Sequence, residues 1–357
     1  MTTPEAGLLT HDSFARAELP DRAARPPRGP AGGSAATPLR TFVLDPECRR
    51  RAARIGRPGG LPPVETEPEA WEAAGRERLT GILGRRTRAL RLLMQRSEAV
   101  LVRGLAADAD AGAAAYGADC DPERISCAVS QVLGVVALIG AKAFAFRDEN
   151  QGRLIRHVVA RPCAAGEVSS QGWDAELPWH MDGAYRPFRE GERLARPARW
   201  LVFAVINSDP EVPMTIVSTV ELVRRLSPAT QSALAQPEFA VSSPAAVTER
   251  CVARNLPLLD RDEAGRLISR ISLGLCDGLT PRAARALREV SEALADPSLH
   301  HRINLRCGDL VVLDNWRTLH RRKAYSPAWN GRDRWLIRIY AAPEHEAGPC
   351  GRARLMD

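Results

Sequence analysis

From residue 143 onward the chain keeps returning to short β-rich apolar runs. They are AFAF at 143–146, LIRHVVA at 154–160, WLVFAVIN at 200–207, MTIVST at 214–219, RLISRISL at 266–273, DLVVLDN at 309–315 and RWLIRIY at 334–340. Their composition and their bounding turn residues read as strands. Ahead of them the pattern is helical. Trp71, Leu79, Ile82, Leu83, Leu90 and Leu93 recur at three- and four-residue spacings over residues 67–95, and Ala99–Gly104 reads as a buried strand closed by glycine. Asp121-Pro122-Glu123 predicts a helix start, with Asp121 as N-cap, leading to about Ile139. Helical inserts are expected at Thr219–Ala235 and Thr280–Ala295. A helical front followed by seven or more spaced strands predicts an α+β, mainly β fold. The expected form is a barrel or double-sheet jelly roll with helices buttressing one face.

Residues 1 to about 65 differ in kind. RPPRGPAGGSAATP and RPGGLPPVE are rich in Pro, Gly, Ala and Arg, with too few large apolar side chains to offset ordering entropy. The expected organisation is a flexible leader over 1–65, a main domain over 66–345 and a tail over 346–357, with TFVLDPE at 41–47 a short docked strand. The formal net charge of +7 and a pI near 9.2 raise the question of nucleic acid. Of the 50 basic residues only Lys142 and Lys323 are lysines, and five of the seven excess charges fall in the first hundred residues. Acids are interleaved there and no aromatic platform accompanies them, so a nucleic-acid partner is not expected. No apolar stretch is long enough for a bilayer crossing, and the opening residues lack the apolar segment of a signal peptide. The eight cysteines are scattered without a CxxC pair, as in reduced cytoplasmic proteins.

Chemistry concentrates in two segments. In PWHMDGAYRPF, 178–188, His180 and Asp182 are two apart, so on a strand they project to one face. An imidazole with a carboxylate suits a divalent iron-type site; the alternative is a strand-edge histidine beside a surface acid. The second segment is GDLVVLDNWRTLHRRKAYSPAWNGRDRWLIRIY, 308–340. His320, expected on the bend after the strand, is the candidate third ligand of a two-histidine, one-carboxylate triad. Arg334 and Arg338 share a face on an extended strand, about 13 Å apart, and could each hold an anion. Two arginines on a solvated face fit that spacing equally well.

These segments resemble the iron(II)/2-oxoglutarate-dependent oxygenases of the clavaminate synthase-like, taurine dioxygenase-like group. Within it they are most similar to the viomycin-pathway arginine hydroxylase and asparagine oxygenase. His180, Asp182, Ala184, Tyr185, Pro187, Phe188 and Arg189 follow the proximal pattern. Gly308, Asp309, Asp314, Asn315, Arg317 and His320 follow the distal one, which continues through Ser326, Pro327, Trp329, Gly331, Asp333, Arg334, Trp335, Leu336, Arg338 and Tyr340. The resemblance spans roughly residues 75–342. It implies a double-stranded β-helix in which His180, Asp182 and His320 bind Fe(II), with 2-oxoglutarate as cosubstrate and O2 as oxidant. By the same resemblance Arg334 pairs with the distal carboxylate of 2-oxoglutarate, helped by Thr215. Arg338 holds the carboxylate of an amino-acid substrate, free or tethered to a carrier protein, in natural-product biosynthesis. Ser170 touches the substrate backbone, and Glu149 or Asn150 meets its amine; an exposed Glu-Asn turn is the other reading of 149–150.

Three departures stand out. Gly183 replaces an acid, the metal carboxylate is Asp rather than Glu, and RISLGLCDG at 270–278 offers only Asp277 where arginine hydroxylases carry closely spaced acids. A guanidinium needs a bidentate acceptor, so arginine and neutral amino acids both stay open as substrates. A carboxylate ligand argues against a halogenase, and Arg186–Arg199 is the expected lid. Hydroxylation is the expected outcome; desaturation, ring closure, or a jelly roll that only binds are the alternatives.

Overall fold

The computed structural model describes residues 38–55, 58–108, 111, 122–188, 195–346 and 355–356. In chain order the front comprises β1 (Leu39–Val43), α1 (Pro46–Arg54), α2 (Pro68–Leu83), α3 (Thr87–Arg96), β2 (Ala99–Arg103) and α4 (Ser126–Leu138). The middle comprises β3 (Ala141–Phe146), β4 (Arg156–Val159), β5 (Leu177–His180), β6 (Trp200–Asn207), β7 (Met214–Ser218), α5 (Thr219–Arg225) and α6 (Pro228–Leu234). Then follow β8 (Phe239–Ser242), β9 (Val252–Leu256), β10 (Leu259–Arg261), β11 (Leu267–Ser269), β12 (Cys276–Gly278) and α7 (Pro281–Ala295). The last strands are β13 (His301–Ile303), β14 (Leu310–Asp314), β15 (Thr318–Arg322), β16 (Trp335–Pro343) and β17 (Leu355–Met356).

Two sheets carry the site. The larger runs β1-β2-β14-β6-β16-β3-β17, with β4 also on β16, and the smaller runs β13-β7-β15-β5. Alternation along the strands decides what lies between them. Leu201, Phe203 and Val205 of β6, Leu336 of β16, Met214 and Ile216 of β7 and Ile303 of β13 pack into one buried cluster, so the sheets face each other as a sandwich. The opposite faces are also dry. Val202, Ala204, Trp335, Ile337 and Ile339 join the α2 and α4 side chains on the outside of the large sheet. Val217 and Leu319 join α5, α6 and α7 outside the small one. Because β16 is buried on both faces, Arg334 and Arg338 are not on a solvated surface.

Several expectations shift. The helix expected over 67–95 breaks at Gly84, whose φ of 53° belongs to the left-handed region that favours glycine. The insert 219–235 splits because Ser227 caps a new helix opened by Pro228. RLISRISL contributes only Leu267–Ser269 as strand. The ordered body also starts well before residue 65. β1 pairs in parallel with β2, and Phe42, Leu44, Cys48, Ala52 and Val64 are buried in the helix-side core. The docked strand expected at 41–47 is therefore β1, two residues earlier. In the expected tail, Leu355–Met356 pairs with β3. Asp121 and the middle of the expected lid, 189–194, lie outside the described residues.

α2 and α4 cross in backbone contact. A Cβ on Gly134 would lie 2.4 Å from the Gly75 carbonyl, and one on Gly75 would lie 2.3 Å from the Ser130 carbonyl oxygen. This close crossing seats the helical layer on the large sheet, with α4 buried along almost its whole length.

Candidate metal centre

His180 closes β5, and its antiparallel register on β15 places it opposite His320. His320 thus sits on a strand, not on the expected bend. It points inward because it is in register with Ile216, whose side chain enters the inter-sheet core. Asp182 follows in a turn. There Asn315, the residue after β14, accepts from the Asp182 amide at 3.0 Å and donates to the Asp182 and Ala198 carbonyls at 2.9 Å each. Next in the turn is Gly183 at φ 72°, where an added Cβ would also lie 3.2 Å from Pro197. The glycine that replaces an acid therefore has a backbone reason.

The three side chains converge. Ligand atoms of His180, Asp182 and His320 all lie within 4.8 Å of one another, the one such group found among the described residues. Asp182 Oδ1 is 3.3 Å from His180 Nε2 and 3.8 Å from His320 Nε2, and the two imidazole centroids are 4.1 Å apart. Protonation states suit a cation. His180 Nδ1 lies 2.8 Å from the Pro178 carbonyl. A carbonyl only accepts, so Nδ1 carries a hydrogen there and Nε2 is the nitrogen turned toward Asp182. Burial, then the neighbouring His180, pushes His320 down to about 3, so its imidazole is neutral. Burial alone would raise the Asp182 carboxyl, but Arg338, His180 and His320 outweigh it and hold the group well below the usual carboxylate range. Two imidazoles and one carboxylate oxygen, held together at one point, form a donor set for a divalent transition metal.

A cavity of about 790 Å³ opens over the cluster, with Glu149, Arg156, Ser170, Arg334, Arg338 and Tyr340 among its lining residues. Arg338 Nη1 donates to Asp182 Oδ2 at 2.6 Å, its Nη2 lies 3.9 Å from Glu149, and its guanidinium sits 3.9 Å over the Tyr340 ring. Tyr340 donates to Glu149 at 2.9 Å. The two Asp182 oxygens are thus divided, Oδ1 toward the histidines and Oδ2 toward Arg338. Burial raises Glu149, although Arg338 opposes it. Arg334 is buried where β16 begins, and burial lowers it to about 10; its Nε has no hydrogen-bond partner. Ser170 accepts from Arg156 Nε at 2.9 Å.

Three expected site residues stay outside the cavity lining. Thr215 lies between Met214 and Ile216, which face the inter-sheet core, so strand alternation turns it to the other face with Val217. Asn150 spends its side-chain amide on the Arg153 and Ile155 carbonyls. Asp277 is exposed on β12. The lid is described only at its ends. There Arg186 pairs with Asp148 and packs 3.6 Å from the centre of the Phe146 ring, and Arg199 pairs with Asp314 at 2.8 Å. Residue reading passed over the positioning role of Asn315 and the inward-facing Arg156. Asn315 stood in the quoted motif; Arg156 stood in a strand with no motif to mark it.

Residues 68–340 match the family described as Taurine catabolism dioxygenase TauD, TfdA family. The chain belongs to this family. It is accordingly a dioxygenase of the class that uses Fe(II), 2-oxoglutarate and O2. L-asparagine oxygenase of Streptomyces coelicolor is 26% identical over 291 residues, covering 80% of this chain and 81% of the relative. Among solved structures, asparagine oxygenase in complex with Fe(II), 2S,3S-3-hydroxyasparagine and succinate superposes with a TM-score of 0.71. It is 22% identical and covers 88% of this chain and 98% of its own. The non-heme iron oxygenase OrfP in complex with Fe and alpha-ketoglutaric acid gives 0.69 at 18% identity, covering 89% and 100%. At these identities the structures speak to the fold, and no helix of the described residues is long and apolar enough to cross a membrane.

Proposed function

We propose that this chain hydroxylates an unactivated C–H bond of an amino acid, with His180, Asp182 and His320 as the iron ligands. The observation that carries the reading is their convergence at a cavity also lined by the buried Arg334 and Arg338. The sandwich is then the double-stranded β-helix of the family; its smaller sheet and the turn after β5 supply the ligands, and the larger sheet supplies Arg338. Iron, once bound with 2-oxoglutarate and O2, supplies the oxidising chemistry. The chain does the rest. Pro178 fixes the His180 tautomer and Asn315 fixes the Asp182 backbone, so the donor atoms are set before metal arrives. Arg334, without a carboxylate partner among the described residues, receives the distal carboxylate of 2-oxoglutarate. Arg338 receives the substrate carboxylate while still holding Asp182 Oδ2, which ties substrate position to the metal carboxylate. Glu149 faces the substrate amine, and the apolar wall of Val158, Met214 and Leu275 excludes water from the reacting bond.

The test is succinate formation from 2-oxoglutarate under air with ferrous iron and a panel of amino acids, with hydroxylated product read by mass. At least one amino acid should stimulate succinate formation about tenfold or more over its absence. Arg334→Leu should raise the 2-oxoglutarate KM by about a hundredfold, the scale of a lost charge-assisted pair of about 2–3 kcal/mol. An iron-loaded enzyme that converts no amino acid would defeat the reading.

A further inference from the structure

Among the arginines that line the cavity, Arg156 stands beside Arg338, and no metal, cosubstrate or carboxylate contact accounts for it. On β4, Val159 faces the helix-side core while Arg156 and Val158 face the cavity, as period-two alternation requires. β4 lies antiparallel on β16, and the register sets Arg156 directly opposite Arg338. Two guanidinium side chains therefore rise side by side from neighbouring strands into one cavity. Like charges in that arrangement are destabilising unless anions separate them. Arg338 has its anions in Asp182 and Glu149. Arg156 has none: its hydrogen bond is Nε to the Ser170 hydroxyl, and no carboxylate among the described residues lies within ion-pair distance. Its two terminal nitrogens are left to face the cavity.

The charge balance sharpens the point. Among the described residues six arginines, Arg156, Arg250, Arg321, Arg322, Arg334 and Arg338, line the cavity against the three carboxylates of Glu149, Glu167 and Asp182. A divalent metal would add two positive charges, and the dianion 2-oxoglutarate would remove two. An excess of positive charge is left facing the substrate, and a zwitterionic amino acid with a neutral side chain leaves it uncompensated. A guanidinium side chain would add to that excess. The acids lining the cavity offer it no alternative, since Glu149 and Asp182 are engaged and Glu167 is exposed at the rim.

We infer that Arg156 is a specificity-determining residue that receives a carboxylate on the substrate side chain, so that the substrate is an acidic amino acid. The inference rests on the amino-acid reading above and deepens it. Arg338 then takes the α-carboxylate, Glu149 the α-amine, and Arg156, steadied by Ser170, the second carboxylate. Each charged group of a dicarboxylic amino acid has an opposite charge to meet, and the side chain is held at both ends across the metal.

Calorimetric titration under anaerobic conditions, with 2-oxoglutarate and Mn(II) standing in for iron, reads this without turnover. L-aspartate, L-glutamate, their carboxamides L-asparagine and L-glutamine, and L-arginine are the ligands. One of the two acids should bind at least about tenfold tighter than its own carboxamide, and L-arginine should bind weakest. Arg156→Gln should collapse that acid-to-amide ratio toward one while leaving 2-oxoglutarate affinity unchanged, which also shows that the variant is folded. Arg156→Lys, which keeps the charge, should retain most of the preference. Equal binding of acid and carboxamide in the unaltered protein would overturn the inference. So would an equal loss of both in Arg156→Gln, which would place Arg156 on the shared α-carboxylate. Neutral amino acids binding well would leave the amino-acid reading standing; binding of none, with 2-oxoglutarate bound, would remove both.

Discussion

Replacing Arg338 with methionine tests how the centre is held before metal arrives. The substitution keeps much of the stem's volume and deletes the charge. It leaves Asp182 and Glu149 buried without the cation that Nη1 and Nη2 bring to 2.6 and 3.9 Å. A pair of unit charges about 4 Å apart is worth about 4 kcal/mol at an effective dielectric constant near 20. Breaking a buried pair by removing one partner costs about 3–5 kcal/mol, because the remaining ion stays desolvated. Metal-free Arg338→Met should therefore lose about 3 kcal/mol in equilibrium urea unfolding. A divalent cation at the triad changes this, since it brings positive charge to Asp182 Oδ1 and substitutes for half of what the guanidinium did. In saturating Mn(II) the gap to the unaltered protein should narrow to about 1.5 kcal/mol. Arg338→Lys should lose less in both conditions, because it keeps the charge but not the two-pronged contact. A metal-free loss below about 0.5 kcal/mol, or a gap that Mn(II) leaves unchanged, would refute the coupling between Arg338 and the metal carboxylate.

Two further outcomes follow from packing and from burial. Gly134→Ala should destabilise the protein by about 1 kcal/mol in urea. The added methyl would have to move roughly 1 Å off the Gly75 backbone, at an overpacking cost of about 1–3 kcal/mol, against a helix-propensity gain of about 1 kcal/mol. Equal or greater stability would mean that α2 and α4 are free to separate. His157, which accepts from Trp335 Nε1 at 3.1 Å, is lowered to about 4 by burial and then by Arg161 and Arg153. Its neutral form is the folded form, so the unfolded chain binds a proton first as pH falls. Stability is thus full above about pH 6.5 and is lost toward about pH 4, by about 3 kcal/mol in all. His157→Gln should flatten that slope, and an unchanged acid limb would assign it to other groups.

The sequence by itself determined the local chemistry. WLVFAVIN read as a strand, and it forms β6 over the same residues. Thr280–Ala295 read as a helical insert, and it forms α7, with the Thr280 hydroxyl accepting from the Ala283 amide at 3.1 Å. His180 and Asp182 were legible because two-residue spacing puts both on one side of an extended chain. Local pattern could not reveal which face of a doubly buried strand meets the cavity. Both faces of β7 are apolar, so Thr215 reads equally well on either, and only sheet stacking turned it away. The same limit hid Arg156, whose meaning comes from lying opposite a residue 182 positions later in the chain. Asn315 holds Asp182 across 133 residues of separation. Strand propensity and spacing are short-range properties written along the chain. Strand order, register and the division of faces arise when distant segments pair, and those decided which charges share one cavity.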